Sequence, residues 1–129
     1  MKKIYVAGKY SADNVIDVLA NIGKGEAACC ELFHDGFAVF CPWHDKSYVT
    51  GACYAALFDK DIFYNASLAK DMFYAASLAW LEVSDAVYVI SGVGDGGGVD
   101  REIAHAEELG IPVFYDYRAL NDWALENDI

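Results

Sequence analysis

Positive charge is scarce in this chain: nine lysines and arginines stand against 20 aspartates and glutamates over 129 residues, a formal net charge of −11. Such a surface repels phosphate backbones, and no basic stripe offsets it, which argues against DNA or RNA polymers as partners. A small anionic ligand stays compatible, because backbone amides at a helix start hold an anion locally. Long apolar runs are also missing. Asp, Lys or Asn interrupts every such stretch well before membrane-spanning length. The opening Met1-Lys2-Lys3-Ile4-Tyr5-Val6 has neither the apolar core nor the small-residue cleavage site of a signal peptide. The expectation is a cytoplasmic protein with no membrane partner. Cysteine occurs as Cys29, Cys30, Cys41 and Cys53 with no C-x-x-C pair, and His34, His44 and His105 are scattered. These spacings predict reduced thiols and no metal site.

What the chain does contain is apolar: 56% hydrophobic and 15% aromatic residues. Residues 1–129 therefore read as one folded domain with a core of its own. Residues 3–7 (KIYVA) form a short apolar run ending at Gly8. Ser11 or Asp13 is positioned to cap a helix over 14–34, in which Val15, Val18, Leu19 and Ile22 recur at helical spacing. Gly23 and Gly25 predict a kink or break in it. Residues 37–41 (FAVFC) are continuously apolar and stop at Pro42, which suits a strand buried on both faces. A loop, Pro42-Trp43-His44-Asp45-Lys46, follows. Residues 55–82 read as helical, 85–91 (DAVYVIS) as a third strand, and 92–98 as a glycine-rich loop. A helix over 99–109 is closed by Gly110. A fourth strand covers 111–115 (IPVFY), and a last helix 119–127. Strands alternating with helices imply a parallel sheet with right-handed crossovers, and ligands bind beyond the carboxyl ends of such strands. The loops at 8–13, 42–46 and 92–98 all sit at such ends and are expected to converge.

Residues 61–70 and 71–80 form a local tandem repeat with seven of ten positions identical. Ten residues is not a whole number of helical turns, so the copies face different directions. The aromatic middle of the chain (Phe58, Phe63, Tyr64, Phe73, Tyr74, Trp80) is compatible with a subunit interface or with core.

Chemistry concentrates around the glycine loop. Gly92, Gly94 and Gly97 meet a G-x-G-x-x-G spacing formally, but the loop follows the third strand rather than the first and no acidic ribose partner is in place. No Walker lysine follows it. Glu102 lies in the first turn of the next helix, where the helix dipole favours a carboxylate whatever its role.

Several segments together resemble the nucleoside 2-deoxyribosyltransferase superfamily, its small uncharacterised phage-type branch above all. They are Ile4-Tyr5-Val6-Ala7-Gly8, Val39-Phe40-Cys41-Pro42, Ser84-Asp85-Ala86-Val87-Tyr88, Gly98-Val99-Asp100-Arg101-Glu102-Ile103-Ala104-His105-Ala106 and Gly110-Ile111-Pro112-Val113. The Gly-x-x-x-Glu pairing of Gly98 with Glu102 is the most specific piece. The resemblance implies a three-layer flavodoxin/Rossmann-like α/β sandwich with a parallel sheet of four to five strands. It implies cleavage or transfer at the N-glycosidic bond of a (deoxy)nucleoside or nucleoside 5′-monophosphate. Glu102 would be the nucleophile at C1′ and Tyr5 the hydroxyl that orients it. The amides of Gly96, Gly97, Gly98 and Val99 would hold sugar or 5′-phosphate, with Gly8, Lys9 and Ser11 on the opposite wall. No metal or organic cofactor is implied, and a homo-oligomer, dimer or higher, is. Trp43 is an apolar plate suited to stacking a base or to packing, and His44 stands beside it in the same loop.

Two departures from the family pattern stand out. Ser77 occupies the position of an aspartate that helps protonate the leaving base, and Gly96 the position of a serine; Asp95 is placed to compensate in part. Loss of a general acid typically costs about 10²–10⁴ in rate. The alternative is therefore a non-catalytic protein that binds or sequesters a nucleotide in a retained pocket.

Overall fold

The computed structural model describes residues 1–45 and 66–127. In order these form β1 (Lys3–Ala7), α1 (Val15–His34), β2 (Ala38–Phe40), a 3-10 turn (Pro42–Asp45), α2 (Ala66–Glu82), β3 (Ala86–Val89), α3 (Gly98–Leu109), β4 (Val113–Phe114) and α4 (Tyr117–Glu126). All four strands are parallel, in the order β2-β1-β3-β4. The protein is a mixed α/β structure with helices on both faces of the sheet, the three-layer sandwich expected from the sequence. No helix among the described residues is long and apolar enough to cross a membrane.

Side-chain alternation along the inner strands divides the core in two. Ile4 and Val6 point to one face, where they meet Cys29 and Leu32 of α1 and Leu120 and Ala124 of α4. Tyr5 and Ala7 point to the other, with Val87 and Val89 of β3, Leu81 of α2, and Val99, Ile103 and Ala106 of α3. Tyr5, the third residue of a central strand, is wholly buried. The chain leaves β1 to one side for β2 and later crosses to the other side for β3. The carboxyl ends of β1 and β3 are thus a topological switch point, where this class of sheet opens a crevice. Ile90 N–H donates to the Ala7 carbonyl at 2.9 Å and Lys9 N–H to Ser91 Oγ at 2.8 Å, holding the two strand exits together.

Four details differ from the sequence-based expectation. The cap of α1 is Asn14, whose side chain accepts from Asp17 N–H at 2.9 Å, rather than Ser11 or Asp13. The helix runs unbroken through Gly23 and Gly25. Gly25 does not weaken the fold; it clears room for Trp43, whose indole lies where a Cβ at Gly25 would stand. Val15 and Leu19 are exposed rather than core. A 20-residue helix spans about 30 Å and the five residues of β1 about 17 Å, so one end of α1 overhangs the sheet. Finally, β2 is only half-buried, because it borders the described sheet instead of lying inside it. Of the aromatic middle, Phe58, Phe63 and Tyr64 lie outside the described residues, as does most of the first repeat copy.

The two glycines of α1 give opposite expectations. Gly23→Ala meets nothing within 4 Å and should stabilise by about 0.5–1 kcal/mol through helix propensity. Gly25→Ala gains the same propensity but collides with the Trp43 ring and should lose about 1–3 kcal/mol net. Denaturant unfolding of both variants measures this; stabilisation by Gly25→Ala would refute the packing.

Candidate functional site

Glu102 belongs to the second turn of α3, and its carboxyl reaches back toward the exit of β1. Its Oε2 is buried with no hydrogen-bond partner, and so is the hydroxyl oxygen of Tyr5. The two groups interact without reaching full hydrogen-bond geometry. Burial pushes the Glu102 carboxyl up from 4.5 to about 7, and the Tyr5 hydroxyl pulls it partly back. Tyr5 in turn is raised above the ordinary phenol range, by burial first and by the Glu102 charge second, while the Ser77 hydroxyl works the other way. Among the described residues no other carboxylate contributes to the Glu102 shift. A buried carboxyl whose pKa is displaced this far is a candidate functional group.

Helix α2 packs against α3 here. Its Tyr74 hydroxyl donates to the Gly98 carbonyl at 3.3 Å, and the Arg101 guanidinium lies 5.1 Å from the Tyr74 ring centroid. A Cβ at Gly98 would stand 3.5 Å from the Tyr74 ring and 3.9 Å from Glu102 Oε1, so the helix start lies directly against the carboxyl. Tyr5 also stacks on Phe40 at 5.2 Å between centroids, and Phe40 on the exposed Trp80 at 5.7 Å. An aromatic ladder thus leads from the site to the surface.

The structure brings Tyr5, Ser77, Gly98 and Glu102 close together. Gly8 faces Trp43 and Ile90, with no room for a side chain. Other expected site residues stand elsewhere. Trp43 is not a free plate for a base. It is 1% exposed, wedged against Gly8 and Gly25, and its Nε1–H donates to the Lys9 carbonyl at 3.2 Å. It supports the loop rather than lining it. Asp95 has its carboxylate 3.6 Å from Lys9 Nζ on the exposed loop. His44 is exposed on the 3-10 turn. Ser11 and Lys9 line an open groove of about 490 Å³ along α1, with Asp13, Asp17, Asn21 and Lys24, and neither Tyr5 nor Glu102 borders it. His105 pairs with Glu82 at 2.9 Å, joining α3 to α2.

Two contributors were not anticipated. Tyr74 sits one helical turn before Ser77, and that i, i+3 pair of hydroxyls in the second repeat copy was the available signal. Asp100 organises the glycine loop: its carboxylate accepts from Gly94 N–H and Gly96 N–H. The amides of Gly98 and Val99 open α3 behind Gly97, which caps the helix with no side-chain bond. Among the described residues no three His, Cys, Asp or Glu side chains converge to hold a metal ion. No protein-family model matches this chain, and no curated protein matches it.

The Glu102 shift is also a statement about stability. A carboxyl whose pKa rises on folding holds its proton more tightly in the native state. Stability therefore falls as pH rises from about 4.5 to about 7, and the full penalty is present above that. Glu102→Gln should raise unfolding free energy at pH 8 by about 1–3 kcal/mol. The gain should vanish below pH 5. Thermal or denaturant unfolding at both pH values checks this; a destabilised Glu102→Gln at pH 8 would show that the carboxylate is well solvated.

Proposed function

We propose that this chain is a member of the nucleoside 2-deoxyribosyltransferase superfamily, and that it cleaves or exchanges the N-glycosidic bond of a (deoxy)nucleoside or its 5′-monophosphate. The observation that carries this reading is the juxtaposition of the buried Glu102 carboxyl with the buried Tyr5 hydroxyl of β1. Glycosidic carbon is attacked well by a carboxylate stripped of water and held by one fixed donor. In the first step a Glu102 oxygen bonds to C1′, and the C1′–N bond breaks with its electron pair leaving on the base. The base takes up a proton. In the second step water, or the nitrogen of another base, attacks C1′ from the vacated face and returns the carboxylate. Two inversions give net retention. Tyr5 keeps the attacking oxygen oriented and, as a donor, favours its ionised form.

Among the described residues no carboxylic acid interacts with Glu102; the group beside it is the Tyr5 hydroxyl, which itself interacts with Ser77. Water can deliver the proton that the leaving base takes up. The same observation supports the second reading, a nucleotide-binding protein without turnover.

A base-release assay with ribo- and deoxyribonucleosides and their 5′-monophosphates separates the two. Release by the parent and not by Glu102→Ala is the expected outcome. Tight binding without release from any substrate would move the assignment to the binding protein. The active form needs an ionised Glu102, so kcat/KM should rise with pH up to about 7 and fall about tenfold per unit below it. Tyr5→Phe removes the interaction that lowers the Glu102 pKa, so its acid limb should move to higher pH as well as losing rate. An unmoved limb would place the titrating group elsewhere.

A further inference from the structure

A glycine-rich turn ahead of a helix is ordinarily an anion cradle, because its amides are unpaired and the helix dipole adds positive potential. Here the cradle is filled by the chain's own charge. Asp100 turns its carboxylate back over the loop, where Gly94 N–H donates to Oδ1 at 2.8 Å and Gly96 N–H to Oδ2 at 2.5 Å. Both glycines have positive φ, 84° and 72°, a backbone that other residues seldom adopt, and it presents both amides to the one carboxylate. The cations that flank the loop are engaged: Lys9 with Asp95 at 3.6 Å, and Arg101 over the Tyr74 ring. The loop that would receive an anion is thus occupied by one.

Resting on the proposed function, we infer that Asp100 is a specificity-determining residue that makes this site take an unphosphorylated (deoxy)nucleoside and turn away the 5′-monophosphate. A phosphate at the loop would meet a carboxylate that already holds the two amides, and like charges at one site are strongly disfavoured. A sugar hydroxyl can donate to the remaining lone pairs of that carboxylate, an interaction no phosphate dianion can make.

The test uses matched pairs, each common deoxyribonucleoside with its 5′-monophosphate. Binding is titrated by calorimetry into Glu102→Gln, so that discrimination is read without turnover and without the Glu102 charge; base release is followed with the parent. The nucleoside should be favoured by at least about tenfold in both Kd and kcat/KM, and inorganic phosphate should not compete. Asp100→Asn, with Asp100→Ser as a second variant should the first not fold, should narrow the preference and admit phosphate as a competitor. A 5′-monophosphate bound or cleaved as well as its nucleoside by the parent overturns the inference and leaves the proposed function standing. An undiminished preference in both Asp100 variants overturns the role of Asp100 alone. No binding and no release with any pair overturns the inference and the proposed function together.

Discussion

A phenol and a carboxyl forced into the same dry space are the constraint around which this protein is arranged. Tyr5 has no choice of direction: it lies on a central strand, between Ile4 and Val6, which face the opposite helical layer. Its ring fills core beneath α2 and α3, and its hydroxyl is buried beside Glu102 and Ser77 without a hydrogen bond of full geometry. An unsatisfied buried polar group costs about 1–3 kcal/mol. Placing Glu102 beside it does not cancel that cost, because the carboxyl is itself held above its ordinary pKa by burial. Two unsatisfied groups side by side, on rigid elements, are the signature of a site prepared for a third group that brings the missing contacts.

The surrounding structure serves to keep that pair in place. Trp43 fills the gap between α1 and the exit of β1, and two glycines, Gly8 and Gly25, exist at the positions where any side chain would collide with it. Its indole N–H fixes the Lys9 carbonyl, and Lys9 N–H fixes Ser91, so the first and third strand exits cannot drift apart. On the far side Asp100 ties the glycine loop to the first turn of α3, the helix that carries Glu102. Tyr74 bonds the start of α3 at Gly98, from a helix that also supplies Ser77. These contacts come from five separate stretches of chain, around Gly8, Gly25, Trp43, Tyr74 and residues 91–102.

The fold was legible because it rests on short-range patterns. Apolar runs such as FAVFC and DAVYVIS bounded by turns marked the strands, and Gly110 marked the end of α3 in its left-handed conformation. Glu102, Tyr5, Gly98 and Ser77 were picked out as a set through the resemblance of their segments to the nucleoside 2-deoxyribosyltransferase superfamily, not through spacing or periodicity. What escaped was decided by three-dimensional contact. Trp43 in a polar loop reads as a ligand platform, and only the space vacated by Gly8 and Gly25 turns it into core. Asp95 and Asp100 are equally acidic neighbours of the loop, yet one reaches the amides and the other reaches Lys9. Val15 and Leu19 carry the right spacing for a core face, and no periodicity shows that their end of α1 overhangs the sheet.

The claim at the centre of this account is that Glu102 forms a bond to the sugar. A 2′-deoxy-2′-fluoroarabinosyl nucleoside tests it directly, because the fluorine slows both steps and lets the ester accumulate. After incubation, intact-mass measurement and peptide mapping should find one added fluorosugar on the peptide containing Glu102, and none on Glu102→Gln. An adduct on another residue, or no adduct from a protein that still releases base from the natural nucleoside, would contradict the account.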